Sequence, residues 1–287
     1  MVNFGWQGYI FISVILYSIS VVLQRRILKE ENSNPIAYCI FFQILTGVMI
    51  GIIGFLSSEM GLPSNLPDFF GNMILMTILY GLSSILIFKS LKETEASKFA
   101  IILSTKTFFT VFASSIFLGE LLNGRQILGT LLIFVSVIVV TLKSTKLSFS
   151  KGDLMAMGAA IGFGLAVTND RFLIQNFLLY SYLSIAFILP GLFIAALYPK
   201  DVLEIKKLLR IKSISRVGVL SFIYALSAIT FFVALKSAPN SSQVASVNMT
   251  SVIVTVFLSI VFLKEKEDLA KKLLGAFICF LGLLMVG

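Results

Sequence analysis

Along the chain, long apolar runs alternate with short polar connections. Runs of about 18 to 25 residues, each able to cross ~30 Å of hydrocarbon as a helix, cover 6–24, 35–57, 70–91, 97–118, 126–142, 153–175, 178–198, 214–235, 242–263 and 269–287. The pattern predicts ten transmembrane helices and an all-α integral membrane protein. The longest polar connection, 199–213, interleaves Val202, Leu203, Ile205, Leu208 and Leu209 with Lys206, Lys207 and Arg210. That periodicity predicts a short helix lying on the membrane surface.

Composition agrees with the pattern. Hydrophobic residues make up 57% of the 287 and charged residues 13%, and the mean hydropathy is +0.98, beyond the range of soluble globular domains. Cys39 and Cys279 both fall inside apolar runs and read as small core residues. The first run lacks a basic leader and a small-residue cleavage site, so it is expected to be a retained helix. There is no histidine, and Cys, Asp and Glu do not cluster. This argues against metal catalysis and against Ser-His or Cys-His nucleophiles, and no Walker-type phosphate loop appears. The chain is therefore read as a non-enzyme without a cofactor.

The formal net charge of +9 acquires meaning from its distribution. Of 23 Lys and Arg, 19 lie in the connections between runs 1–2, 3–4, 5–6, 7–8 and 9–10; the rest are Arg125, Arg171, Lys236 and Lys106. Basic residues favour cytoplasmic loops, so those connections are expected inside a plasma (inner) membrane, with both termini on the outer face. Trp6, Tyr180 and Tyr182 then fall at the outer interface. The charge is an orientation signal, not a nucleic-acid footprint.

The chain also repeats itself. "YGLSSILIFKSLK" at 80–92 matches "YALSAITFFVALK" at 224–236, and 97–120 matches 242–265 with 10 identities in 24. The halves are 1–142 and 151–287, joined by a linker at 143–150. Five runs per half is an odd number, so the second copy enters the membrane from the opposite side. Inverted-topology repeats of this kind are a signature of secondary transporters, in which two halves rock about a midplane site.

With ten runs, a duplicated five-helix unit and the pattern Leu118-Gly119-Glu120, Gln126, Gly129, echoed by Leu263, Glu265, Lys272 and Gly275, the chain resembles the EamA family of the drug/metabolite transporter superfamily. Lys264 and Lys272 depart from the pattern where the first half has glycine and glutamine. The resemblance implies a substrate cavity between the halves and solutes such as amino acids, other metabolites or drugs, often exported.

Polar side chains inside a bundle need partners or water, so polar stripes point toward a cavity. Run 1 carries Ser13, Tyr17, Ser20 and Gln24 on one helical face. Run 4 carries Lys106 and Thr110; the matching positions of run 9 are Ser251 and Thr255, with Asn248 one turn earlier. Tyr80 matches Tyr224, and Ser83 matches Ser227. Any one of these hydroxyls can instead bond the carbonyl a turn back and simply pack. Gly47/Gly51 and Gly158/Gly162 have the spacing of close helix contacts, which suits intramolecular packing in a monomer and leaves a homodimer face open. Pro190 predicts a kink. All fourteen acids are placed in loops or near helix ends, none near the midplane.

Lys106 is the exception in an oily run. Eight residues separate it from Lys98, about 12 Å of helix, which a snorkelling side chain only partly covers. A buried ammonium costs at least ~2.5–3.5 kcal/mol. The expected function is a secondary transporter, alternating access to a small metabolite bearing a carboxylate, with an amino acid the leading choice and export the leading direction. Lys106 is the expected charge anchor, with Tyr17, Tyr80, Tyr224, Asn248, Ser251, Thr110, Thr255, Ser13 and Ser20 around the solute. The alternatives are a carrier of neutral or lipophilic drug-like compounds with a structural Lys106, and a passive pore or scaffold.

Overall fold

The structure is a computed structural model describing residues 5–30, 33–118, 124–143, 146–147, 149–208, 211–237, 247–248 and 250–286. Its helices are α1 (Trp6–Leu28), α2 (Pro35–Leu56), α3 (Phe70–Glu93), α4 (Ala96–Leu103), α5 (Lys106–Leu118), α6 (Gly124–Thr141), α7 (Lys151–Leu173), α8 (Leu179–Leu197), α9 (Pro199–Leu208), α10 (Ile211–Ser237), α11 (Thr250–Phe262) and α12 (Leu269–Val286), with a 3₁₀ turn at Leu66–Phe69 before α3. Among the described residues, five segments are long and apolar enough to cross a bilayer: Trp6–Leu28, Pro35–Leu56, Leu66–Glu93, Leu179–Leu197 and Ile214–Ala234. The surface is apolar as well. Phe55 and Leu56 are each 77% exposed and Phe117 74%, which in water would be an aggregation face and in a bilayer is a lipid contact.

Local chemistry starts several helices. Asn34 caps α2, its side-chain oxygen accepting from the amides of Ile36 (3.0 Å) and Ala37 (3.2 Å), with Pro35 in the first turn. Ser150 and Asp153 close a reciprocal capping box on α7. The expected surface helix is α9, packed on α2 and α8. The 143–150 linker contributes a two-residue antiparallel ladder, Leu142 with Leu147 and Lys143 with Lys146.

One expectation needs correction. The run 97–118 is not one helix; it breaks at Ser104–Thr105 into α4 and α5. The Ser104 hydroxyl donates to the Ile101 carbonyl (2.6 Å) and the Thr105 hydroxyl to that of Ile102 (2.8 Å). The amides of Thr107 and Phe108 donate to the carbonyls of Ser104 and Thr105, only three residues back. Side chains competing for backbone carbonyls have tightened one turn of the helix, and Lys106 follows directly.

Packing between the halves is reciprocal. α1 packs on α10 as α3 packs on α7; α5 meets α7 as α11 meets α1; α2 pairs with α8 and α6 with α12. The directions are opposed in the pairs α1–α10, α3–α7, α2–α8 and α6–α12, whereas α5 runs parallel to α7, with Lys106 beside Gly164 and Thr110 beside Thr168. Ser13 meets Ser227 while Glu30 meets Arg216. Asn72 meets Asn169 while Ser90 meets Gly152. Arg125 reaches Leu284, and a Cβ at Gly275 would meet Val140. α1 and α3 end together, since Arg25 donates to the carbonyls of Leu91 (2.8 Å) and Lys92 (2.7 Å). α7, antiparallel to α3, therefore runs opposite to α1, its counterpart in the other half.

Glycines permit this closeness inside one chain. A Cβ at Gly47 would lie 2.9 Å from the Ser184 carbonyl, and one at Gly51 3.0 Å from the Ser184 hydroxyl; Gly158 and Gly162 face Leu86 and Ser83 of α3. Both small-residue pairs thus serve contacts within the molecule. α8 continues through Pro190.

Candidate functional site

The break in the fourth run places Lys106 at the first position of α5, half-buried among residues from both halves. Its ammonium lies 4.9 Å from the centre of the Phe163 ring on α7 and 5.8 Å from that of Tyr17 on α1. Among the described residues no carboxylate lies within 4 Å of it. Aromatic faces attract a cation through their quadrupole but supply no net negative charge.

A ring system extends from this point. Phe163 meets Tyr80 edge-on at 5.0 Å between centres, and Tyr17 meets Tyr224 at 6.1 Å. Tyr224 is held by Phe42 at 5.1 Å and Phe187 at 5.7 Å. Tyr17, Tyr80, Phe163 and Tyr224 are each half-buried, and the cluster lies among α1, α3, α5, α7 and α10. The structure therefore brings together Lys106, Tyr17, Tyr80 and Tyr224.

The hydroxyl candidates divide. Ser13 donates to the Ser227 carbonyl (2.8 Å), sewing α1 to α10. Ser20 donates to the Tyr17 carbonyl (2.6 Å). Thr110 donates to the carbonyls of Lys106 (3.0 Å) and Gly164 (3.2 Å), fastening α5 to α7. Ser251 is buried, and its carbonyl accepts from Ser18 (3.2 Å). Thr255 is buried with its hydroxyl unpartnered, as is Ser83. Asn248 is half-buried in the short described piece 247–248. Gly119 and Glu120 of the repeated loop pattern lie outside the described residues.

Two acids lie near helix ends, as expected, yet are buried. Asp170, near the end of α7, is 7% exposed and accepts hydrogen bonds from the hydroxyls of Tyr80 on α3 and Tyr182 on α8. Tyr182 is accordingly buried within the protein. The sequence signal was present but unread: Asp170 lies inside the apolar run 153–175. Glu265, 6% exposed, accepts from the amides of Ala96 (3.0 Å) and Ser97 (3.2 Å) and from the Ser97 hydroxyl (2.9 Å). It caps α4, sits 3.7 Å from Arg25, and adjoins the ion pair of Lys272 with Glu95. The loop whose lysines break the repeat pattern is thus an interlock at the basic end of the bundle. Lys98 and Asp153, 2.6 Å apart, form a second link there.

Gly164 sets how closely Lys106 approaches α7. A Cβ there would lie 2.6 Å from both the Lys106 carbonyl and Phe109 Cβ, and 3.0 Å from the Thr110 amide. None of these atoms can swing aside, so Gly164→Val is expected to displace α5 and cost ~1–3 kcal/mol, the usual range for overpacking. Gly158→Ala, facing only the flexible end of Leu86 at 3.2 Å, is expected to be tolerated. Thermal unfolding in detergent compares the two.

A family model described as the EamA-like transporter family matches residues 5–142 and again 150–287. A solved structure described only as the crystal structure of a protein shares the fold, with a TM-score of 0.59 and 14% identity over 98% of this chain and 94% of that one. No curated protein matches this chain.

Proposed function

The chain belongs to the EamA-like transporter family, and from that premise we propose that it is a secondary carrier of a small carboxylate-bearing metabolite, an amino acid or a related compound. It is a multi-pass membrane protein of the drug/metabolite transporter type. The proposal extends to ten membrane-spanning helices that work as a monomer by alternating access, in a plasma membrane with the basic connections inside and both termini outside. Export is the proposed direction.

The observation that carries the reading is Lys106: an ammonium in mid-bundle, between rings from both halves, with no carboxylate within 4 Å among the described residues. An anionic solute supplies the missing charge where helices of the two halves converge. The reciprocal, antiparallel packing of the halves supports a rocking motion, and the Glu265 interlock at the basic end is the contact such a motion has to break.

A second reading has its own support. The rings of Tyr17, Phe42, Tyr80, Phe163, Phe187 and Tyr224 also suit a neutral lipophilic compound. Proteoliposomes loaded with a panel of amino acids, monocarboxylates and neutral aromatic drugs separate the two. Saturable release of amino acids or carboxylates is the expected result. Saturable movement of neutral compounds alone overturns the carboxylate reading, and unsaturable leakage of every solute points to a pore.

A further inference from the structure

Among the described residues, Lys106 is one of two charges in this region without a counter-ion within 4 Å. Asp170 is its opposite. The Asp170 carboxylate is almost fully buried, and both groups that bond it, the hydroxyls of Tyr80 and Tyr182, are neutral. Among the described residues no cation lies within 4 Å of it. An ionised group buried in a membrane protein is costly, and where it persists it usually marks a substrate or ion path.

The two charges belong to one continuous surface. From Lys106 the contacts pass to the Phe163 ring, from Phe163 to Tyr80, and from the Tyr80 hydroxyl to Asp170. Phe163 and Asp170 are seven residues apart on α7, about 10 Å at ~1.5 Å per residue. Lys106 and Asp170 do not pair with each other.

We propose that Asp170 is a second anchor of the solute site, receiving a cationic group of the cargo while Lys106 receives its carboxylate, so that the site is built for small zwitterions. This rests on the carrier reading above and narrows it. A carboxylate offers about four acceptor positions; the two tyrosines occupy two, and an ammonium takes the others without displacing them. The Tyr80 ring beside it adds a cation-attracting face. The Ser83 hydroxyl, 1% exposed and unpartnered, lies against Gly162 next to Phe163 and one turn from Tyr80. It is an unused hydrogen-bonding group at the Phe163 level, on the Lys106 side of the pair. A simple carboxylate would satisfy Lys106 and leave Asp170 alone; a simple amine would do the reverse.

The test uses the full chain in detergent, with ligand-induced thermal shifts read for the twenty protein amino acids and, for each that binds, the matched deaminated acid and decarboxylated amine. The wild type is expected to bind at least one amino acid tenfold or more tightly than either matched compound. Asp170→Asn is expected to bind the deaminated acid as well as the amino acid, and Tyr182→Phe, which keeps the charge, to preserve the discrimination. Wild-type protein that binds the deaminated acid as tightly as the amino acid overturns the proposal and leaves the carrier reading intact. So does an Asp170→Asn protein that folds and still discriminates. Binding of none of the three classes overturns both readings.

Discussion

Lys106→Met weakens recognition of carboxylate solutes and leaves a protein at least as stable as the wild type. A hydrogen bond to a charged group contributes about 1.5–3 kcal/mol, so apparent affinity for the transported carboxylate is expected to fall about 10- to 100-fold. Stability should move the other way. The ammonium touches two ring faces and, among the described residues, no carboxylate; methionine keeps the length, restores apolar contact and removes the burial cost of the charge. Gain of stability with loss of binding is the signature of a group held for function. Solute titrations and thermal unfolding of the same preparation check both halves. A Lys106→Met protein that unfolds earlier and transports normally would make the lysine a packing element.

Glu265→Ala gives the largest expected loss of stability. The carboxylate caps α4 through three hydrogen bonds and faces Arg25, which is 8% exposed. Removing it leaves a buried guanidinium without its partner, a change that typically costs 3–5 kcal/mol, and frees two amides at a helix start. Glu265→Gln keeps one acceptor oxygen for the two amides and loses the charge, so it should fall between Glu265→Ala and the wild type. The free thiol of Cys39, buried in α2, reports the motion: maleimide labelling should be slow in the wild type and fast in Glu265→Ala. Equal labelling rates in folded samples would show that the interlock does not hold the basic end shut.

Much of the helical framework was legible because lipid-facing runs advertise themselves. α2 was expected over 35–57 and occupies Pro35–Leu56; the polar connection 199–213 yields α9. Errors occurred where a polar residue turned inward. The first run was ended at 24, yet α1 continues to Leu28 because Arg25 folds back onto the carbonyls of Leu91 and Lys92. The fourth run was read as unbroken because the hydroxyls of Ser104 and Thr105 carry no sign of which carbonyl they will take. Lys106 and the tyrosines could be found from single positions or from the repeat. Asp170 could not be recognised as a partner of Tyr80, 90 positions away, since no local pattern links them, and its place near the end of α7 made it look like an ordinary terminal acid.

The repeat itself is imperfect in an instructive way. At the 145-residue offset of the two family matches, Lys106 corresponds to Ser251 and Asp170 to Arg25. Two identical inverted halves would form a device that looks the same from either side, meeting its cargo with equal affinity in both directions. In the alternating-access carrier proposed above, unlike groups at matched positions would remove that equivalence and make the device a rectifier in the kinetic sense. Half-saturation and maximal rate differ between its two faces, while their ratios stay tied together by the equilibrium between the two compartments. Without an energy source such a device cannot pump, but it sets how steeply flow responds to concentration on each side. A single lysine placed off the axis of symmetry is enough to give the carrier a front and a back.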